Sequence, residues 1–170
     1  MESSKGMRPQ DVALLLKIVA WGNDDWRGID MAHALRLSPA EVSNSLKRSA
    51  IAGLVDGTKR RVARAALLEF LKHGLPYVFP VRPSGVVRGV PTAHSAAPLR
   101  AKFLTAEAYV WPYAKGAQQG QAIAPLYPGA AAAALADPAL HELLALADAL
   151  RIGRTRERAE AEKELAKRLK

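Results

Sequence analysis

The sequence predicts a mainly α-helical fold with a small β-hairpin and a C-terminal helical region. Three observations carry this. Apolar residues recur at helical spacing over 12–21, 62–72 and 140–150. Helix-start residues stand where those patterns need them, the clearest being Ser38-Pro39. Finally, the runs 77–82 and 86–90 are β-rich and flank the turn Pro83-Ser84-Gly85, which predicts a hairpin over Tyr77–Val90.

In chain order, residues 1–7 read as a disordered leader. Val12–Trp21 is dense in apolar residues and predicts a buried helix, with Pro9 suited to its first turn. Gly22-Asn-Asp-Asp25 ends it. A short helix over Ile29–Leu35 follows, and Arg36-Leu37 makes a tight connection to a third helix. There Ser38 is a preferred N-cap, Pro39 fits the first helical position and Glu41 completes a capping box. Gly53 marks its end. A fourth helix spans Val62 to about Lys72 and stops at Gly74-Leu-Pro76.

Prolines 80 and 83 keep the Tyr77–Val90 hairpin at a sheet edge. Beyond it, prolines and glycines interrupt every candidate element, although Ala108–Trp111 reads as a strand and the alanines 130–134 as weakly helical. From Pro138 the pattern sharpens: Leu140, Leu143, Leu144, Ala147 and Leu150 recur at helical spacing. This stripe suits either an intramolecular core or association. Beside a charged final helix over 154–170 it reads as a dimerisation face.

The chain has 170 residues, a net charge of +9 and no cysteine. Disulfides, thiol catalysis and thiolate metal sites are thereby excluded, and a reducing cytosol fits. No apolar run is long enough to span a membrane, and Met1-Glu-Ser-Ser carries no secretion signal, so a cytoplasmic protein is expected. The basic balance points to a polyanionic partner. It is partitioned: residues 8–64, 82–115 and 151–170 each carry +4, whereas 116–150 carry −3.

Helices two and three, separated by a tight connection, match a helix-turn-helix. On the wheel of the third helix, Val42, Leu46 and Ser49 face the core, while Ala40, Ser43, Asn44 and Lys47 face outward with Arg48 at their flank. Small residues permit close approach to a groove. Asn44 suits the adenine edge, and Lys47 and Arg48 suit guanine or phosphate. Ile51 also falls outward, so either the helix ends before it or the fourth helix covers it. The basic run Arg60, Arg61 and Arg64 offers further phosphate contacts.

The stretch WRGIDMAHALRLSPAEVSNSLKRSAIAGLV (26–55) resembles the helix-turn-helix of winged-helix bacterial regulators of the MarR type. In these, Leu-Ser-Pro-x-x-Val-Ser opens the recognition helix and Gly-Leu-Val ends it. The resemblance implies a dimeric regulator reading double-stranded DNA with Ser38, Ala40, Ser43, Asn44 and Lys47, assisted by a basic wing. The family pattern puts the wing directly after Gly-Leu-Val. Here Lys59-Arg-Arg61 and a helix follow, so the wing is expected at Tyr77–Val90, with Arg82 and Arg88 flanking its tip.

The expected organisation is thus a winged helix-turn-helix DNA-binding domain over 8–90, an irregular Pro/Gly/Ala-rich segment over 91–135, and a dimerisation or partner-binding region over 136–170. The expected function is a homodimeric transcriptional repressor occupying a near-palindromic operator. A second reading is an autoregulating antitoxin of a defence or toxin–antitoxin operon, gripping a partner protein through 91–170. Enzymatic activity, a metal or a cofactor is not expected. The histidines at 33, 73, 94 and 141 lack ligand spacing, Gly116-Ala-Gln-Gln-Gly120 lacks the residues of a phosphate loop, and the neighbours His94 and Ser95 do not face each other.

Overall fold

A computed structural model describes residues 6–170. The expected leader lies, apart from Gly6 and Met7, outside the described residues. The chain is mainly helical with a small three-stranded sheet. Helices α1 (Pro9–Trp21), α2 (Gly28–Leu35) and α3 (Pro39–Ile51) come first, followed by α4 (Arg64–His73) and the short α5 (Leu75–Val78). Strands β1 (Val86–Pro91), β2 (Tyr109–Pro112) and β3 (Gln118–Ala122) precede α6 (Ala130–Ala136), α7 (Pro138–Ile152) and α8 (Thr155–Arg168). Among the described residues, no helix is long and apolar enough to cross a membrane.

One hydrophobic core runs through the whole chain. Val12–Leu16 of α1 are completely buried, and residues 143–150 of α7 are buried without a break. Side chains on every face of these two helices are enclosed, which explains their continuous apolar runs. Lys17 of α1 binds Asp137 at 2.5 Å, and Asp137 in turn caps α7 by accepting from the Leu140 N–H. The expected dimerisation stripe is therefore corrected: Leu140, Leu143, Leu144, Ala147 and Leu150 are at most 3% exposed and are spent inside the chain.

The hairpin expected over Tyr77–Val90 is also corrected. Tyr77 and Val78 end a helical turn, whereas β1 takes its partners from far along the chain. It runs antiparallel to β2, with Val90 opposite Trp111, and to β3, with Val87 opposite Gly120. A short parallel pairing of Tyr109 with Gln121 closes the three strands into a small barrel. Gly89 is shared by both partners, and a Cβ there would lie 1.9 Å from the Trp111 carbonyl oxygen, so only glycine permits the closure. Residues 91–135 accordingly contain strands, α6 and two 3₁₀ turns rather than an irregular run. The region is held to α7 by Asp148, whose carboxylate accepts from Thr92 Oγ1 and Trp111 Nε1, both at 2.7 Å, and from Arg151 at 2.9 Å. Burial pushes that carboxyl above its usual range, against the Arg151 charge.

A smaller turn-back occurs earlier. Val55 pairs antiparallel with Val62 in a single bridge, and Ala63 N–H donates to Leu54 O. The loop between them is organised by Asp56, which accepts from Thr58 Oγ1 and from the backbone N–H groups of Arg60 and Arg61. These bonds hold its carboxyl below the usual range. Lys59 occupies the left-handed region there, with φ of 59°.

Candidate nucleic-acid interface

Helix α3 begins where its capping residues place it. Ser38 Oγ accepts from the Glu41 N–H at 3.1 Å, with Pro39 in the first turn. The second half of the expected capping box is absent, because the Glu41 carboxylate turns instead to Arg48, at 2.5 Å, and to Gln10, at 3.1 Å. The inner face packs Val42, Ser45 and Ser49 into the core, with Leu46 half-buried against it. Their small size lets α3 lie close to α1 and α2.

The outer face carries Ser38, Ala40, Ser43, Asn44 and Lys47, all exposed. Among the described residues, the side chains of Ser43, Asn44 and Lys47 enter no hydrogen bond or ion pair. They lie on the exposed face of α3, where their carboxamide, hydroxyl and ammonium groups are free to meet an external partner. Ile51 remains helical and 75% exposed, so neither explanation expected for it holds.

Arg48 is a correction. Its guanidinium turns inward and makes two bonds to Asp11, at 2.9 and 2.7 Å, besides the one to Glu41. Asp11 is fully buried and also accepts from the Arg8 N–H. The paired carboxylates, Asp11 above all, hold the guanidinium proton more tightly than usual. Arg48 thus locks α3 to α1 and is unavailable to a ligand.

The arginines after α3 are also engaged. Arg60 lies over the Trp26 ring, 4.9 Å from its centroid, and donates to the Trp26 carbonyl. Arg61 binds Asp24 at 2.7 Å but remains exposed. Arg64 donates to the carbonyls of Arg168 and Lys170 and so joins α4 to the end of α8. Arg82 is exposed on the coil before β1, and Arg88 donates from β1 to Gly116 O, so the two do not flank a common hairpin tip. Two cations went unassigned as site residues in the sequence. Arg36 is exposed at the C-cap of α2, immediately before α3, and Lys59 sits in the Val55–Val62 loop. Their signal lay in position, since each occupies a connection next to α3.

His94 and Ser95 are each engaged elsewhere. His94 Nε2 pairs with Glu107 O at 2.8 Å and its Nδ1 faces Glu157 at 3.7 Å, while Ser95 Oγ accepts from the Tyr109 N–H. No protein-family model matches this chain, and no curated protein or solved structure is significantly similar to it. Function is therefore argued from the residues.

Proposed function

We propose that the chain is a winged helix-turn-helix DNA-binding protein that regulates transcription, with α3 as its recognition helix. The observation that carries this is the outer face of α3, which is exposed, small and uncommitted while the neighbouring Arg48 is withdrawn into the protein. In this reading α3 enters the major groove, Asn44 pairs with an adenine edge, and Lys47 and Ser43 hold phosphates. The Val55–Val62 loop takes the place of the wing, directly after Gly53-Leu54-Val55, and brings Lys59 and Arg61 towards the backbone. Arg36 and Ser38 supply contacts at the entry to the helix.

Occupancy of a promoter by α3 makes the protein a repressor. A two-fold pair on a near-palindromic operator remains the proposed assembly, formed through a surface other than the buried leucine stripe. Residues 91–170 pack into the same core as α1.

The test selects preferred DNA from random duplexes and measures binding by fluorescence anisotropy at several salt concentrations. Wild type is expected to enrich a defined sequence. Lys47→Ala should weaken binding to all duplexes and reduce the salt slope by about 0.9, the contribution of one phosphate contact. Asn44→Ala should narrow the gap between preferred and random DNA. Wild-type behaviour in both variants would remove α3 from the interface. Half-sites spaced by one helical turn in a footprint would support the two-fold pair.

A further inference from the structure

A cavity of about 330 Å³ lies between the end of β1, the segment 96–100 and the start of α7. Its walls are aliphatic: Val90, Pro91, Ala97, Leu135 and Pro138 line it. Leu135 is 54% exposed and so presents apolar surface at the cavity mouth. Three polar side chains, Arg100, His141 and Glu142, meet this apolar wall. Arg100 is exposed, and among the described residues its guanidinium has neither an ion pair nor a hydrogen bond. His141 places Nε2 2.7 Å from the Pro91 carbonyl oxygen. A carbonyl oxygen can only accept, so Nε2 carries a proton in this contact. Glu142, on the same wall, is already paired with Arg168 at 2.7 Å.

The geometry points to a binding site for a small aliphatic carboxylate, with the acyl chain against Leu135 and Val90 and the carboxylate on Arg100. Charge and shape both select that class. The one uncommitted charge at the cavity is positive and planar, which suits a carboxylate. Apart from the His141 imidazole, which packs at 5.4 Å against the Trp111 ring, the lining side chains among the described residues carry no aromatic ring, so the walls fit an alkyl chain. A pocket that is mostly apolar, with a few convergent polar groups, is the usual form of a small-molecule site. This inference stands apart from the DNA-binding reading, because none of these residues belongs to α3 or the Val55–Val62 loop.

The experiment titrates the full chain with butanoate, hexanoate and octanoate, following the His141 ring resonances and the surrounding amides by NMR. Binding is expected to shift His141 and to strengthen about 4-fold for each added CH₂ that the walls bury. Arg100→Gln should weaken octanoate roughly tenfold or more while leaving octan-1-ol unchanged. Leu135→Ala should flatten the dependence on chain length. Arg100 and Leu135 are both exposed, so neither substitution threatens the fold. The proposal falls if octanoate leaves His141 unmoved, if Arg100→Gln binds as wild type does, or if the shifts spread equally to Ile51 and Tyr77 as surface adsorption would produce.

Discussion

Helices α3 and α8 are both polar, with 13 and 14 residues, and both follow an N-cap in extended conformation. They treat their charged groups in opposite ways. In α8, Glu160 and Glu164 receive Lys102, Glu164 also receives Lys167 and Arg168, and Arg168 reaches across to Glu142 on α7. These carboxylates are consumed in their pairs, several of which strap α8 to the rest of the molecule, while Arg156 and Arg158 enter no pair among the described residues. In α3 the split runs through adjacent residues: Arg48 is consumed by Asp11 and Glu41, while Lys47 and Asn44 stay free. Charge content alone does not mark a binding surface. What marks it is the charge and hydrogen-bonding capacity left over after the fold has taken its share.

The largest effect should come from breaking the consumed half of α3. Arg48→Ala strands the fully buried Asp11 carboxylate without its partner, and loss of one member of a buried ion pair costs about 3–5 kcal/mol. Lys47→Ala, one residue away and exposed, should leave stability within about 0.5 kcal/mol. Urea unfolding of the two variants checks the contrast directly. Equal stabilities would mean that Arg48 is no lock.

Next in size is Asn44→Ala. Loss of a bidentate base contact should reduce discrimination between the preferred sequence and a single-substitution competitor by about 1–3 kcal/mol, with stability unchanged. Competition anisotropy reads this. Undiminished discrimination would assign the readout to another residue of the outer face.

The comparison also explains what could be seen in the sequence. The start and outer face of α3 are legible because capping and periodicity are local signals, and Ser38, Pro39 and Val42 lie within five residues of one another. The fate of Arg48 is not legible, because its partner Asp11 lies 37 residues away and an arginine at a helix flank looks identical whether paired or free. The leucines of α7 announce burial but not what buries them, so a core helix reads like a dimer helix. The sheet is hidden for a related reason. Pro83-Ser84-Gly85 resembles a turn between two neighbouring strands, but β1 closes with segments that begin at Tyr109 and Gln118. The Val55–Val62 loop, with a single bridge, is too short to show any alternation.

The consumed charges of α8 carry a pH signature. Hydrogen bonds from Arg168 and Lys167 hold the Glu164 carboxyl at about 2, below its ordinary 4.5. A folded-state value depressed below the unfolded one gives stability that is fully present above about pH 4.5 and is lost as the pH falls towards 2. Glu164→Gln should cost about 1 kcal/mol at neutral pH and flatten the stability profile across that window. A profile as steep as wild type would place the acid sensitivity in other carboxylates.

The smallest effect separates the two faces of α3 itself. Ser45 is completely buried on the inner face, and its hydroxyl has no hydrogen-bond partner among the described residues. Ser45→Ala removes an unsatisfied polar group and adds helix propensity, so it should stabilise the protein by about 1 kcal/mol and leave DNA affinity unchanged. Ser43→Ala, two residues earlier on the exposed face, should do the reverse: little change in stability and weaker DNA binding through a lost phosphate contact. Thermal unfolding paired with anisotropy on both variants tests the division. If Ser45→Ala weakens DNA binding as much as Ser43→Ala, α3 does not present one face to the protein and the other to DNA.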